Sequence, residues 1–220
     1  MKKGKSILFW GMASLIIFVI WTVLIQMIDV QPLGQKGTNI GFAAFNTRFH
    51  QMTGTNMTLY TVTDWLGLVP MGVCMIFAIV GLSQWIRRRS IVKVDKDILI
   101  LGMYYVVVIL GYLVFEMIPI NYRPIPIDGI MEASYPSSTT LLVLSVMPTL
   151  MEQGHRRIKA TALRYGVDVF AILFSIFMVI GRLISGVHWF TDIAGAILLS
   201  AGLFGIYKAA VVFITKEGKA

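Results

Sequence analysis

The feature that most constrains this chain is a recurring apolar run punctuated by short clusters of Lys and Arg. A membrane-spanning helix needs about 20 mostly apolar residues, somewhat fewer where flanking side chains snorkel. Six segments meet that need: Ile7–Ile28, Leu66–Ile86, Ile98–Ile120, Thr139–Met151, Val167–Ile184 and Trp189–Ile214. The fourth is short and needs the preceding "SYPSS" to reach across. Charged residues make up 14% of the chain, against about 25% in a soluble domain, too few to cover a water-facing surface. The sequence therefore predicts an all-α integral membrane protein, residues 1–220 forming one six-helix bundle.

The cations set the topology. Fifteen of the 19 Lys and Arg residues fall before the first segment, after the second, after the fourth and at the end of the sixth. Positive charge is retained in the cytoplasm, so both termini are expected inside. Lys36, Arg48, Arg123 and Arg182 are the four left on the outer side. The net charge of +8 is thereby assigned to topology, and a nucleic-acid partner is not expected. The "KKGK" start resembles a signal peptide, but the run after it is too long and no small-x-small site precedes "DVQPLG", so a retained helix is expected. The lone Cys74 allows no intrachain disulfide.

The longest outer loop is 29–65. In it Ile40, Phe42, Phe45, Phe49 and Met52 recur at three- and four-residue spacing. That predicts an amphipathic helix in the outer interface, with Asn46, Arg48 and Gln51 turned to water.

Three outer stretches within 116–196 carry unusual polarity: "EMIPINYRPIP", "SYPSSTT" and "GRLISGVHWFTDIAGA". His188 and Asp192 are four apart and share a helix face. An Asp so placed can hold the Nδ1 proton and leave Nε2 free as a nucleophile. Arg182 and Arg123 supply planar forks suited to phosphate. The hydroxyl-rich run opens a helix whose free N–H groups favour anions. Each feature has a plain structural reading: a snorkelling Arg, an N-cap, a hydrogen-bonded His–Asp pair. Ionisable groups at membrane depth are functional candidates by default, and these all face one side, which favours a phosphoryl site.

These residues resemble the type 2 phosphatidic acid phosphatase (PAP2) family. "GRLISGVHWFTD" matches its third motif at Arg182, His188 and Asp192, with Gly181 in place of Ser, and Asp192 to Gly195 continues the likeness. The first motif matches at Arg123-Pro124, with Glu116 where the family has Lys. The second matches at Pro136-Ser137, with Ser138 for Gly and Thr139 for His. The resemblance implies a lipid phosphatase of the plasma membrane with an extracytoplasmic site and no metal or cofactor. It implies His188 as nucleophile forming a phosphohistidine and Asp192 as its orienter. Arg123, Arg182, Ser137, Ser138 and Thr139 would lie around the phosphate.

Thr139 cannot protonate a leaving group as the family's His does, and three explanations stand open. The substrate is a polyprenyl diphosphate such as undecaprenyl diphosphate, whose leaving phosphate needs little help. Alternatively, Glu116 is the acid, or else an ion pair bracing Arg123. The third is a non-catalytic lipid-phosphate binder. A lipid phosphotransferase shares the same chemistry up to the phosphohistidine. The partners expected are a lipid phosphate and membrane lipids, and the sequence carries no signal for an oligomeric state.

Overall fold

The computed structural model describes residues 2–33 and 37–215. Lys36, Lys216 and Lys219, assigned above to membrane sides, lie outside the described residues. Among the described residues there are eight α-helices and only isolated β-bridges. They are α1 (Lys2–Ile25), α2 (Ala43–Thr53), α3 (Met57–Leu66), α4 (Leu68–Arg88), α5 (Lys96–Met117), α6 (Ser138–Arg157), α7 (Thr161–Ile184) and α8 (Phe190–Ile214).

Five stretches are long and apolar enough to cross a membrane: α1, the continuous α3–α4, α5, α7 and α8. Their outward faces carry rows of exposed Ile, Leu, Val and Met, as lipid contact requires. This is a multi-pass membrane protein. α6 is as long as its neighbours but more polar, and it is packed among α4, α5, α7 and α8. Its Ser145, Thr149 and Gln153 are buried. The Tyr104 hydroxyl donates to the Ser145 carbonyl at 3.0 Å, Tyr105 and Thr149 share a 2.6 Å hydrogen bond, and Gln153 Nε2 donates to the Tyr207 hydroxyl at 3.0 Å. A helix shielded by others need not be lipophilic, so the short apolar run Thr139–Met151 begins a full-length helix that gains its length beyond Met151, to Arg157, and not from the preceding "SYPSS" as expected.

α1 and α8 run antiparallel in close contact. A Cβ on Gly205 would lie 2.7 Å from Gly11 Cα, and one on Gly202 would strike Leu15 at 2.4 Å. Small residues let the two backbones approach. Contacts between helix ends divide the molecule. Arg88, Asp95, Asp97, Glu152, Arg157 and Lys208 meet at one end. Arg123, Arg182 and His188 meet at the other.

The outer loop departs from expectation twice. Residues 57–65 are helical and extend α4, because the hydroxyls of Thr61 and Thr63 bond back to the carbonyls of Met57 (2.9 Å) and Leu59 (2.8 Å). α2 forms, with Arg48 and Gln51 exposed as expected, but Asn46 faces inward and is fully buried. Its amide donates to the Gly41 carbonyl (2.9 Å) and the Thr191 hydroxyl (3.1 Å), and accepts from the Thr191 N–H (3.4 Å). The buried polar face is affordable because every bond of the amide is met. Phe45 and Phe49 pack their rings on Phe190. α2 is therefore strapped across the start of α8.

Candidate active site

The turn from α7 to α8 carries the central residues. Ser185 caps α7, its hydroxyl donating to the Arg182 carbonyl at 2.8 Å. Gly186 then takes φ 73°, a left-handed conformation that glycine adopts without strain. A Cβ there would also strike the Gly54 carbonyl at 2.2 Å. The Asn56 N–H donates to the Ser185 carbonyl at 3.0 Å and His50 Nε2 contacts the Gly186 carbonyl at 3.0 Å, so the α2–α3 segment clamps the turn.

His188 follows, buried. Its Nε2 is 3.5 Å from Arg182 Nη2 and its Nδ1 is 3.7 Å from Asp192 Oδ2. A guanidinium only donates, so this contact favours the tautomer with the proton on Nδ1 and a lone pair on Nε2. Burial first, then the charges of Arg182 and Arg123, hold the His188 pKa well below its ordinary value. The imidazole is thus kept neutral and nucleophilic. Asp192 is engaged differently from the simple His–Asp pair expected. Its Oδ2 accepts the Trp189 N–H at 2.9 Å, capping α8, and its Oδ1 accepts from Asn121 Nδ2 at 3.2 Å. Its contact with His188 is longer than a hydrogen bond, as is common before substrate tightens a site.

Arg123 and Arg182 are both buried. Arg123 sits on the α5–α6 loop, whose arms are tied by hydrogen bonds from the Arg123 N–H to the Glu132 carbonyl (3.1 Å) and from the Ser134 N–H to the Asn121 carbonyl (2.9 Å). Both guanidiniums approach one ring, Tyr60 of α3, at 4.9 Å for Arg182 and 5.8 Å for Arg123. The carboxylate on Arg123 is Glu132, at 2.9 Å. Glu116 is not the ion-pair partner expected of it. It lies exposed at the end of α5, beside a hollow formed with Ser134, Tyr135 and Pro136. The geometric reason is that the loop's bridge between Tyr122 and Ala133 puts Glu132 directly across from Arg123.

Nε and Nη1 of both arginines are buried and have no hydrogen-bond partner. Four unused donors on two adjacent buried cations are costly. A tetrahedral dianion would satisfy them.

Ser137, Ser138 and Thr139 open α6 as expected, but they divide in role. Ser137 is wholly buried, its hydroxyl donating to Thr140 Oγ1 (3.0 Å) and its N–H to the Asp192 carbonyl (3.2 Å). It joins the start of α6 to that of α8 and has little left for a ligand. Ser138 and Thr139 are half-exposed and line a cavity of about 580 Å³. Its mouth holds Asp64 and Gly67, and its apolar depth runs between α4 and α5 along Met71, Cys74 and Tyr105. A second apolar cavity of about 780 Å³, sharing Cys74, Met75 and Tyr105, continues toward Trp85.

Tyr135 fixes the run from below. Its ring lies on Gly195, where a Cβ would approach to 2.4 Å, and its hydroxyl shares a 2.7 Å hydrogen bond with Thr22. Tyr60, Asp64, Asn121, Glu132 and Tyr135 were not singled out by sequence reasoning. The one available signal was the i, i+4 spacing of Tyr60 and Asp64, which puts both on one helix face.

No family model matches the sequence, and no curated protein does. The structure is similar to that of a transmembrane PAP2-type phosphatidylglycerolphosphate phosphatase from Bacillus subtilis. The TM-score is 0.68 at 17% identity, over 94% of this chain and 97% of that one. The likeness shows the fold: this chain has the helical architecture of a membrane PAP2-type phosphatase.

Proposed function

We propose that the chain is a lipid phosphatase of PAP2 type, acting at the extracytoplasmic face through a phosphohistidine on His188. The observation that carries this reading is the neutral His188 Nε2 beside two buried arginines with four unused donors. In the reaction, Nε2 attacks phosphorus and the bond to the leaving oxygen breaks. Arg123 and Arg182 hold the equatorial oxygens, where charge gathers in the transition state. The first-turn amides of α6, at Ser138 and Thr139, add donors at a helix N-terminus. Asp192, held by Trp189 and Asn121, orients the imidazole.

The apolar cavities reaching from Ser138 and Thr139 between α4 and α5 suit the hydrocarbon of the substrate. Thr139 offers no acid, so a leaving group that needs none fits best: the lipid monophosphate expelled when the terminal phosphoryl of a lipid diphosphate, such as undecaprenyl diphosphate, passes to His188. This reading includes six crossings with both termini in the cytoplasm of a plasma-membrane protein, which the collection of cations at the end opposite His188 supports.

The test is phosphate release from phosphatidate, phosphatidylglycerophosphate and undecaprenyl diphosphate in chelator, with wild type and His188→Ala. Turnover by the wild type that His188→Ala abolishes is expected, largest on the diphosphate. Phosphoryl appearing on an acceptor lipid instead would make the protein a transferase. Silence on all three would make it a lipid-phosphate binder.

A further inference from the structure

Asp64 lies one turn beyond Tyr60 on α3, and both meet Arg182. The Tyr60 ring lies 4.9 Å from the guanidinium carbon, and Asp64 Oδ1 is 3.5 Å from Nη1. No hydrogen bond is closed at that nitrogen. His188 Nε2 stands 3.5 Å from the other terminal nitrogen, Nη2. One guanidinium thus has the candidate nucleophile at one edge and a carboxylate at the other. Asp64 also lines the mouth of the cavity shared with Ser138 and Thr139, and its side chain is 57% exposed.

We infer that Asp64 is the general base of the second half-reaction, the hydrolysis of the phosphohistidine. The inference rests on the phosphatase reading above. In the first half-reaction the leaving phosphate departs with its electron pair and needs no proton. In the second, a water oxygen attacks phosphorus and its proton passes to the Asp64 carboxylate. The phosphorus–Nε2 bond breaks and its electron pair returns to Nε2. The proton is then given up to solvent entering the cavity that Asp64 lines. Thr139 cannot accept that proton at neutral pH, so another group must.

The other carboxylates nearby are committed elsewhere. Glu132 is bound to Arg123 at 2.9 Å, Asp192 caps α8, and Glu116 stands beside another hollow. Asp64 alone among them lines the cavity without a closed hydrogen bond to its cation.

The test uses the full chain in detergent with p-nitrophenyl phosphate, whose leaving group needs no acid. Asp64→Asn should release about one nitrophenolate per chain in a burst and then turn over more slowly by about 100-fold or more, the usual scale of a lost general base. An alkali-stable phosphohistidine should accumulate. Phosphate should still raise the melting temperature of Asp64→Asn, showing fold and arginines intact. Turnover by Asp64→Asn at the wild-type rate, or slow turnover with no phosphoenzyme trapped in it, would overturn the inference. So would loss of the burst, whether phosphate binding survives or not, since Asp64 would then serve the first step or only support Arg182. A wild type silent on this probe and on the three lipids, or an active His188→Ala, would instead remove the phosphatase reading.

Discussion

The two ends of the bundle handle charge in opposite ways. At the end gathering Arg88, Arg156, Arg157 and Lys208, cations meet carboxylates. Arg88 lies 2.7 Å from Asp95, Arg157 2.8 Å from Asp97, and Arg156 2.8 Å from Glu152, which also takes Lys208. None of the guanidinium nitrogens there is both buried and unbonded among the described residues. At the other end Arg123 and Arg182 also meet carboxylates, Glu132 at 2.9 Å and Asp64 at 3.5 Å, but they are more deeply buried and each keeps two nitrogens outside any hydrogen bond. Pairing makes the first end a clasp among α4, α5, α6 and α8. Buried donors outside any hydrogen bond are costly at the second end, and the proposed phosphate would satisfy them. At the first end the cations close their hydrogen bonds on protein partners, whereas at the second each arginine keeps donors open beside its carboxylate.

The strongest way to break that contrast is to remove one arginine from each end. Arg182→Gln should lower turnover by about 100-fold or more, the scale for losing a donor to a developing oxyanion. It should leave the melting temperature unchanged or raised in the absence of phosphate, because a poorly matched buried cation is gone. Phosphate should then stabilise the variant less than wild type. Arg157→Gln should do the reverse: a loss of about 1–3 kcal/mol of stability from the stranded Asp97, with turnover per folded molecule kept. Thermal melts with and without phosphate, beside the rate assay, read both. Equal destabilisation by the two substitutions would show that Arg182 is a structural cation like Arg157.

How far the sequence led follows the same division. The apolar helices were legible because lipid-facing length leaves a run that anyone can count. α6 was half-legible: its apolar stretch is diluted by Ser145 and Thr149 and ends before Gln153, all three polar residues that the other helices bury. α3 was hidden because "NMTLYTVTDW" reads as polar loop until its threonines turn their hydroxyls onto the helix backbone. In the site, Arg182, His188 and Asp192 were visible through spacing within one turn. Arg123 was visible through its Pro. Tyr60 and Asp64 meet Arg182 across more than a hundred positions of chain, and such contacts leave no local spacing to read. Asn46 misled for a related reason. A polar residue on an amphipathic helix faces water by default, and here Thr191 offered it a better partner.

The pH dependence of stability sharpens the comparison next. The folded state keeps His188 neutral where the unfolded chain would take up a proton, because burial and then the two arginines depress its pKa. Above about pH 6.5 neither state binds that proton and nothing changes. Below it the unfolded chain gains a proton that the folded one lacks, so folding weakens by up to about 1.4 kcal/mol per pH unit. His188→Asn removes this linkage. Melting curves of wild type and variant should run parallel near neutrality and diverge toward pH 5, with the variant losing less. Parallel curves throughout would mean that neither burial nor the two arginines keep the imidazole from taking up a proton in the folded state.

The smallest expected effect concerns Thr139. It half-faces the cavity at the start of α6, with its methyl group near Gly67. A histidine there would bring a proton donor to the mouth where the leaving oxygen departs. Thr139→His should therefore raise phosphatidate hydrolysis by several-fold to tenfold, since an alkoxide leaving group gains from an acid. The rate on undecaprenyl diphosphate should hardly move, because its leaving phosphate is already weakly basic. The informative quantity is the ratio of the two rates, which cancels differences in folding and protein amount. A ratio unchanged by the substitution would mean that leaving-group protonation does not limit this site. The choice between substrates would then rest on the apolar cavity between α4 and α5.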